Sequence, residues 1–322
     1  MGYVWAVLSA ILFGINGSVA KVAIEAGITA AQLTFFRSIG AAVLCAVALL
    51  IVDRRGFRPD RRSLLGFAVL GLIGVAGVQW LYAMAISRLP VGIALMIEYL
   101  GVPLVALAAL VLFRERIRPR LWAGIALMLA GLAVVAQVWD SRLDALGLIF
   151  AVLAAVALAV YFIVGERGVR SSSPLAVGFW SMLTAAVFWS LFSGWWEIDP
   201  AVFGRSVALE GVPGVEPPVW VALIWIVALG SFAPFVLSFL ALRTLGATRG
   251  GVLASAEVVF AFAAAWLLLG ESLDLLQLLG GAAVIAGIVL AQTARPGTAV
   301  DADLALPPPT DPPRRERVGG WS

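Results

Sequence analysis

Ten long apolar stretches divide this chain and decide what it can fold into. Each holds about 20 residues, the length of helix that crosses the hydrocarbon core of a bilayer. Several connections between them, such as residues 87–91, are too short to hold a soluble domain. Because lipid offers the backbone no hydrogen-bond partner, stretches this long predict transmembrane helices rather than barrel strands. The predicted spans are residues 3–23, 30–52, 63–87, 91–113, 121–138, 145–166, 175–196, 219–243, 249–269 and 275–294.

The composition supports the same class. Of the 322 residues, 62% are hydrophobic and 13% are charged, whereas ordinary globular domains are about 45–50% apolar and about 25% charged. A soluble protein of this composition would aggregate. The first stretch follows Met1 and Gly2 without a charged n-region or a small-residue cleavage site, so we expect it to be retained as a span.

Residue types that carry much enzyme chemistry are scarce. The chain has no histidine, one cysteine (Cys45) and one lysine (Lys21). Histidine-ligated metals, histidine acid–base catalysis, cysteine metal clusters and an intramolecular disulfide are therefore excluded. A Walker-type phosphate loop needs a lysine that follows glycines, and no glycine-rich segment leads to Lys21. The sequence therefore predicts no enzyme activity, no metal and no cofactor.

The arginines determine the predicted orientation. Short cytoplasmic loops collect Lys and Arg. With the N-terminus inside, 17 of the 22 basic residues fall in cytoplasmic loops or in the C-terminal tail, which predicts ten spans with both termini cytoplasmic. The arginines separate apolar stretches and do not form a patch, so the net charge of +3 does not predict nucleic-acid binding. The 17 are Arg54, Arg55, Arg58, Arg61, Arg62, Arg114, Arg116, Arg118, Arg120, Arg167, Arg170, Arg243, Arg249, Arg295, Arg314, Arg315 and Arg317.

The chain contains an internal repeat. The earlier spans align at shifts slightly below 156 residues, which place Asn16 near Tyr161 and Arg37 near Ser181. Because each repeat holds five helices, an odd number, the second repeat enters the membrane from the opposite side. We predict an all-α polytopic membrane protein of two inverted five-helix repeats, residues 1–140 and 141–294, with a disordered cytoplasmic tail, 295–322. A shift of 156 superposes Gly74 on Gly230, Ala85 on Ala241, Leu89 on Leu245, Glu115 on Glu271, Gly124 on Gly280 and Gly131 on Gly287.

Motifs in both halves resemble the EamA-type drug/metabolite transporter family. The segment Ile97-Glu98-Tyr99-Leu100-Gly101 is similar to its threonine/homoserine and aromatic amino-acid exporter branch. The resemblance implies an exporter of amino acids or related metabolites in the plasma membrane, the inner membrane of a bacterium. The other motifs are Leu89-Pro90-Val91-Gly92-Ile93-Ala94, Pro103, Leu112-Phe113-Arg114-Glu115, Ala256-Glu257-Val258-Val259-Phe260-Ala261, Leu268-Leu269-Gly270-Glu271 and Leu278-Leu279-Gly280-Gly281-Ala282.

The chain departs from the family pattern at one position. Family members often have proline after the glutamate of the second repeat, and this chain has Val258 after Glu257. A proline inside a helix removes a backbone hydrogen bond and distorts the helix. Its absence predicts a ninth span without that irregularity.

Three ionisable residues lie inside predicted spans. A charge near the bilayer centre costs several kcal/mol, so Arg37, Glu98 and Glu257 are functional candidates. Arg37 and Glu98, with the polar Asn16 and Gln79, lie about 10 Å from the outer ends of their spans at roughly 1.5 Å per residue. Glu257 lies at a similar depth from the inner end of span nine. We predict a polar layer near the middle of the membrane, flanked by two carboxyl groups.

Two interpretations of each ionisable residue remain open. Glu98 either binds and releases a proton or a substrate ammonium, or forms an ion pair with Arg37 that joins spans two and four. Arg37 either makes that pair or binds a substrate carboxylate through its fork of donors. Glu257 either carries a proton or is hydrogen-bonded to a serine such as Ser231 or Ser255. Without histidine, a proton-coupled step has to use the carboxyl groups.

Five aromatic residues lie near the polar layer. They are candidates for lining a substrate pocket, with packing in the helix core as the alternative: Trp80, Tyr82, Tyr99, Tyr161 and Trp180. Aromatics at span ends, such as Trp195, more often belong to the belts at the membrane interface.

The resulting functional hypothesis is a secondary transporter that exports a small molecule by alternating access, with the proton as the candidate coupling ion. An uncoupled facilitator or channel, or a flippase of a lipid carrier, is an alternative within the same fold. A membrane enzyme is the hypothesis from another class. It would need clustered carboxylates to hold Mg²⁺, and the loop aspartates are scattered over both sides: Asp53, Asp60, Asp140 and Asp144.

Overall fold

The computed structural model describes residues 1–113, 119–135, 143–207, 209, 211–212, 214–254, 256–270 and 274–293. Over these residues the chain is helical, and its one extended pairing is an isolated bridge between Ser206 and Pro218. The predicted all-α class is confirmed for this part of the chain. Glu115 and Glu271 of the repeat, and the tail from residue 294 onward, lie outside the described residues.

The first half of the chain holds seven helices. They are α1 (Gly2–Glu25), α2 (Ala30–Val52), α3 (Arg61–Val69), α4 (Val78–Ile86), α5 (Val91–Glu98), α6 (Gly101–Phe113) and α7 (Pro119–Val135). A π-helical segment, Leu70–Gly77, joins α3 to α4 without interruption.

The second half holds α8 (Ala145–Ser171), α9 (Pro174–Phe192), the single turn α10 (Ala201–Gly204), α11 (Val219–Val227), α12 (Ala233–Ala254), α13 (Glu257–Leu269) and α14 (Leu275–Thr293). The helix α12 is kinked at Gly246, whose φ of 74° is not helical. A second π-helical segment, Ala228–Phe232, joins α11 to α12. Short polar side chains cap several helix starts, because the first backbone N–H groups of a helix have no partner inside it. These caps are Thr29, Asp60, Asp144 and Ser173.

Six helical stretches of the described chain are long and apolar enough to cross a membrane. They are Gly2–Glu25, Ala30–Val52, Arg61–Ile86, Ala145–Ser171, Pro174–Phe192 and Val219–Gly246. Shorter apolar helices lie at Val91–Val105, Trp122–Gly131, Glu257–Leu269 and Leu275–Gly287. Each of these ten segments falls on one of the ten predicted spans, so the structure describes a multi-pass membrane protein.

Two of the apolar stretches contain a helix break. One lies between Glu98 and Gly101, the other between Ala254 and Glu257. Next to each break one backbone hydrogen bond spans three residues instead of four, which makes a tightened turn. In the first break the N–H of Leu100 donates to the carbonyl of Ile97, and in the second the N–H of Ala256 donates to the carbonyl of Leu253. The prediction of an uninterrupted ninth span was wrong, because this tightened turn ends α12 without a proline.

Helices from the two halves of the chain interleave. The helix α1 packs against α12 and α13, and α8 packs against α4, α5 and α6. The helices α2 and α9 pack together, as do α7 and α14. The described helices of the two halves therefore pack against each other instead of forming two separate bundles.

Glycines allow the close approach of α7 and α14. A Cβ atom at Gly131 would lie 2.7 Å from the carbonyl oxygen of Gly280, and one at Gly287 would lie 2.7 Å from the carbonyl oxygen of Gly124. The contact is reciprocal. The shift of 156 residues relates Gly131 to Gly287 and Gly124 to Gly280, so each helix presents the same pair of glycines to the other. Small residues with this role are typical of helix interfaces in lipid.

We expect Gly131→Ala to lower the stability of the protein. The added methyl group would meet backbone atoms, which cannot rotate away, and overpacking of this kind costs roughly 1–3 kcal/mol. Gly66→Ala is the matched control, because a Cβ atom at Gly66 has no neighbour within 4 Å. Thermal unfolding in detergent measures both variants. A midpoint for Gly131→Ala equal to that of Gly66→Ala would contradict the tight contact.

Candidate functional site

A cavity lies between the two halves of the chain, enclosed by α1, α2, α4, α5, α8, α12 and α13 and by the first π segment. Counted as the space that the centre of a water molecule can occupy, its volume is about 80 Å³, well above the roughly 10–15 Å³ that one water needs. Its polar wall consists of Ser9, Asn16, Arg37, Gln79, Tyr82, Glu98, Tyr99, Tyr161, Ser238 and Glu257, and its apolar wall includes Phe13, Val78, Leu95, Leu158, Phe162 and Phe235.

The structure brings eight of the ten predicted site residues to this cavity. They come from six different helices or helix ends and are Asn16, Arg37, Gln79, Tyr82, Glu98, Tyr99, Tyr161 and Glu257. The two carboxyl groups, Glu98 and Glu257, line the same cavity.

The other two predicted residues, Trp80 and Trp180, do not line the cavity. The ring of Trp80 packs against Phe150 and Trp189, with ring centroids 6.0 and 5.6 Å away. The indole N–H of Trp180 donates to the carbonyl of Gly56 at 2.9 Å, in the loop after α2. The contacts of both rings are thus with residues outside the cavity lining, as in the packing alternative.

The guanidinium of Arg37 is held by the second π segment and does not form the predicted ion pair with Glu98. Its Nε donates to the hydroxyl of Ser231 at 3.0 Å, and its Nη2 donates to the carbonyl of Gly230 at 3.1 Å. No ion pair within 4.0 Å joins it to Glu98, both residues being described. The ion-pair alternative is therefore not present here, and two of the guanidinium donors bond to hydroxyl and backbone acceptors of the other half instead.

A proline explains why Arg37 is needed there. Pro234 has no N–H, so it cannot donate to the carbonyl four residues earlier, which is that of Gly230. A carbonyl left free in a membrane protein needs a partner from a neighbouring helix, and Arg37 supplies it. The hydroxyl of Ser9 donates to the carbonyl of Pro234 itself at 2.8 Å. The sequence signal for this arrangement, a proline inside an apolar span, was available but not used.

Glu257 is bonded to a tyrosine, and no hydrogen bond joins it to Ser231. The hydroxyl of Tyr99 lies 2.6 Å from Oε2 of Glu257 and 2.7 Å from the carbonyl oxygen of Ala254. Ser231 instead accepts from Arg37, and Ser255 lies outside the described residues. Tyr99 therefore connects the break after α5 with the break between α12 and α13.

Glu98 is buried, with 6% of its surface exposed. Its Oε2 atom has no hydrogen-bond partner among the described residues, and neither has Oδ1 of Asn16 or Oε1 of Gln79. Buried acceptors without partners are rare in folded proteins and call for an explanation. These three acceptors all belong to residues that line the cavity.

The π segments press against the first helix of the other half. Gly230 lies against the amide of Asn16, and a Cβ atom at Gly74 would lie 2.9 Å from Cα of Tyr161. The hydroxyl of Tyr161 donates to Ser238 at 3.0 Å, and its ring packs edge-on to that of Phe235. Ser238 and Phe235 were not predicted, since a serine and a phenylalanine in an apolar span carry no individual signal.

A smaller cavity extends the site along α1 and α12. It shares Ser9, Phe162, Ser238 and Ala254 with the main cavity and continues to a second group of lining residues, Ala6, Ala241, Leu242 and Gly250. The site is thus continued toward the N-terminal end of α1.

We expect Arg37→Met to destabilise the protein, and Pro234→Ala to reduce that cost. Loss of the guanidinium leaves the Gly230 carbonyl buried without its donor, which costs about 1–3 kcal/mol, whereas alanine at 234 restores an N–H. Thermal unfolding of the single and double variants measures the coupling. Arg170→Met is the control, because that side chain is 71% exposed. Equal effects of Arg37→Met in both backgrounds would contradict the link.

Comparisons with known proteins agree with this architecture. A sequence model described as the EamA-like transporter family matches residues 1–137 and 145–293. The threonine/homoserine exporter RhtA of Escherichia coli (strain K12) is 28% identical over 262 residues, which are 81% of this chain and 79% of that protein. An uncharacterized transporter of Archaeoglobus fulgidus is 27% identical over 238 residues, 73% of this chain and 77% of that protein.

Two further matches differ in extent. The probable 4-amino-4-deoxy-L-arabinose-phosphoundecaprenol flippase subunit ArnE of Salmonella paratyphi B is 35% identical over 99 residues, 29% of this chain and 89% of that protein. A crystal structure with 19% identity superposes with a TM-score of 0.61 and covers 90% of this chain and 97% of that chain, which shows a shared fold. Since the family match covers nearly all of the membrane part, the chain belongs to the EamA-like transporter family.

Proposed function

We propose that the protein is a secondary transporter that exports amino acids or related small metabolites across the plasma membrane by alternating access. One observation carries the proposal: a cavity lies at the interface of the two halves and is lined by two carboxyl groups and one guanidinium. Substrate sites of secondary transporters lie at such interfaces. The name of the relative RhtA, an exporter of threonine and homoserine, supports the direction and the substrate class.

The proposed architecture is ten spans in two inverted five-helix repeats, residues 1–140 and 141–294. Features related by a shift of 156 residues support it. The break between Glu98 and Gly101 shifts onto that between Ala254 and Glu257, and the segment Leu70–Gly77 shifts onto the region of the second π segment. The four shorter apolar helices complete ten spans with the six long ones.

The proposed orientation places both termini in the cytoplasm. Loops predicted on one face contact each other: the hydroxyl of Ser173 donates to Asp53 at 2.7 Å on the inner face. On the outer face, Arg88 lies 3.5 Å from Asp144. These contacts support the alternation that the arginines predict.

Within the cavity, each end of an amino acid has a matching partner. The guanidinium of Arg37 carries five N–H donors, of which Nε and Nη2 are used by Ser231 and Gly230, so Nη1 is available to a substrate carboxylate. Glu98 and Glu257 offer acceptors to an ammonium group. The apolar wall around Phe13 gives an aliphatic or aromatic side chain a place to pack.

A lipid-carrier flippase is the second proposal, and the match to ArnE favours it, because that protein is named as a probable flippase subunit. An uncoupled facilitator or channel of the same fold is the third. A membrane enzyme that uses a metal ion would need a cluster of ligating side chains, and the described residues contain no group of three such side chains. The proton gradient separates the first proposal from the third, since only a coupled transporter uses it to concentrate substrate.

In proteoliposomes, we expect a proton gradient to drive the accumulation of radiolabelled threonine or homoserine by the native protein. Glu98→Gln should abolish the effect of the gradient while leaving exchange of substrate across the membrane measurable, because glutamine keeps the shape but cannot exchange a proton. Ser238→Ala, a change of a polar cavity residue that does not titrate, is the matched control. Unchanged gradient-driven accumulation by Glu98→Gln would exclude this role, and absence of all transport would contradict amino-acid export.

The orientation is tested with single cysteines in a Cys45→Ala background. Cys45 is buried, so its replacement removes the native thiol without a surface change. We expect a membrane-impermeant maleimide to label Glu216→Cys in intact cells and to label Arg58→Cys only after the cells are opened. Both native side chains are exposed. Labelling in the reverse order would place the termini outside.

A further inference from the structure

The hydroxyl of Tyr99 has two acceptors and one proton. It lies 2.6 Å from Oε2 of Glu257 and 2.7 Å from the carbonyl oxygen of Ala254, and both separations are those of strong O–H···O hydrogen bonds. A phenol can donate only one such bond at a time. Both short contacts can be hydrogen bonds at the same time only when one of the two partners of Tyr99 itself donates a proton. The backbone carbonyl of Ala254 has no proton to donate, so the donor has to be Glu257.

A protonated Glu257 completes the arrangement. Its carboxyl O–H then donates to the oxygen of Tyr99, and the hydroxyl of Tyr99 donates to the carbonyl of Ala254. When Glu257 releases its proton to water in the cavity, the carboxylate becomes the stronger acceptor. The tyrosine hydroxyl turns to it, and the carbonyl of Ala254 loses its bond from Tyr99.

The position of Ala254 gives this exchange a structural effect. Ala254 is the last residue of α12, and Glu257 is the first residue of α13. The break between them is closed by a single tightened turn, from the N–H of Ala256 to the carbonyl of Leu253. Loss of the Tyr99 bond removes a hydrogen bond that ties the end of α12 to the end of α5, the helix that ends beside Tyr99.

We propose that Tyr99 is a positioning residue that transmits the protonation state of Glu257 to the break between α12 and α13. The use of this device in transport rests on the proposed function, whereas the hydrogen-bond exchange does not. The titratable or charged groups that share the cavity with Glu257 are Tyr99 itself, Glu98 on α5, Arg37 on α2, Tyr82 on α4 and Tyr161 on α8. The neighbouring α1 presents Asn16 and Ser9, which do not titrate.

Tyr161 provides a matched control in the same cavity. Its hydroxyl also donates a hydrogen bond, but to Ser238 at 3.0 Å, and no hydrogen bond joins it to a carboxyl group of the described residues. Tyr161→Phe therefore removes a phenol from the cavity without removing a contact to Glu257 or to the helix break.

The test is amide hydrogen exchange of peptides covering Ala254 to Phe260, in the full chain in lipid nanodiscs, with variants compared at the same pH. Tyr99→Phe leaves the sequence of these peptides unchanged, so their intrinsic amide exchange rates are the same in both chains and cancel when the two measured rates are compared. At acidic pH we expect exchange in Tyr99→Phe to be roughly two- to tenfold faster than in the native chain, the factor that one hydrogen bond provides. At alkaline pH the two should converge, because the native chain has then also released Ala254.

Glu257→Gln should show the opposite behaviour. The amide N–H of glutamine donates to Tyr99 at every pH, so the hydroxyl of Tyr99 keeps its bond to Ala254 and amide exchange stays slow. At acidic pH the exchange rate should equal that of the native chain, and at alkaline pH it should be lower than the native rate. Tyr161→Phe should follow the native chain throughout. A ratio of Tyr99→Phe to native that is the same at every pH would overturn the proposal and leave Tyr99 with an ordinary structural bond. Transport assays do not enter this result, so failure of the transporter proposal would be seen separately.

Discussion

The absence of water from the bilayer core is the constraint on which the rest of this structure depends. Each backbone N–H and carbonyl in lipid needs a partner within the protein. The chain meets this demand with helices, and it departs from regular helices where other groups supply the partner. Pro234 leaves the Gly230 carbonyl free, and Arg37 binds it. The break after Ala254 leaves another carbonyl free, and Tyr99 binds that one. Irregular backbone and buried polar side chains therefore occur together, around one cavity.

Close packing determines which side chains reach the cavity. Glycines let the π segments lie directly against α1 and α8, so that Asn16 and Tyr161 stand at corresponding places in the two halves. The same small residues let α7 and α14 touch through their backbones. Because the two halves interleave, the cavity wall takes its polar groups from both, and a movement of one half against the other would change the contacts of Arg37, Tyr99 and Glu257.

Much of the fold and part of the site could be predicted from the sequence. Apolar stretches of bilayer length show where the helices lie, and the scarcity of buried charge singles out Arg37, Glu98 and Glu257, which all line the cavity. Their partners could not be predicted. A hydrogen bond from Arg37 to Ser231 spans 194 positions of sequence, and no local pattern reports a contact of that kind. The deep tryptophans were ambiguous because a helical period alone does not tell which neighbouring helix a ring faces.

The sequence by itself determined the class of the protein, its number of apolar segments, the repeat offset and the short list of buried ionisable groups, because these follow from the cost of charge in lipid and from the length of a helix that crosses it. Only the tertiary structure decided how those groups are used. It placed Arg37 on a carbonyl of the other half and Glu257 on the hydroxyl of Tyr99, and it kept Glu98 without a partner on Oε2. The physical reason is that a hydrogen bond depends on separations of about 3 Å, which only the packing of distant helices sets.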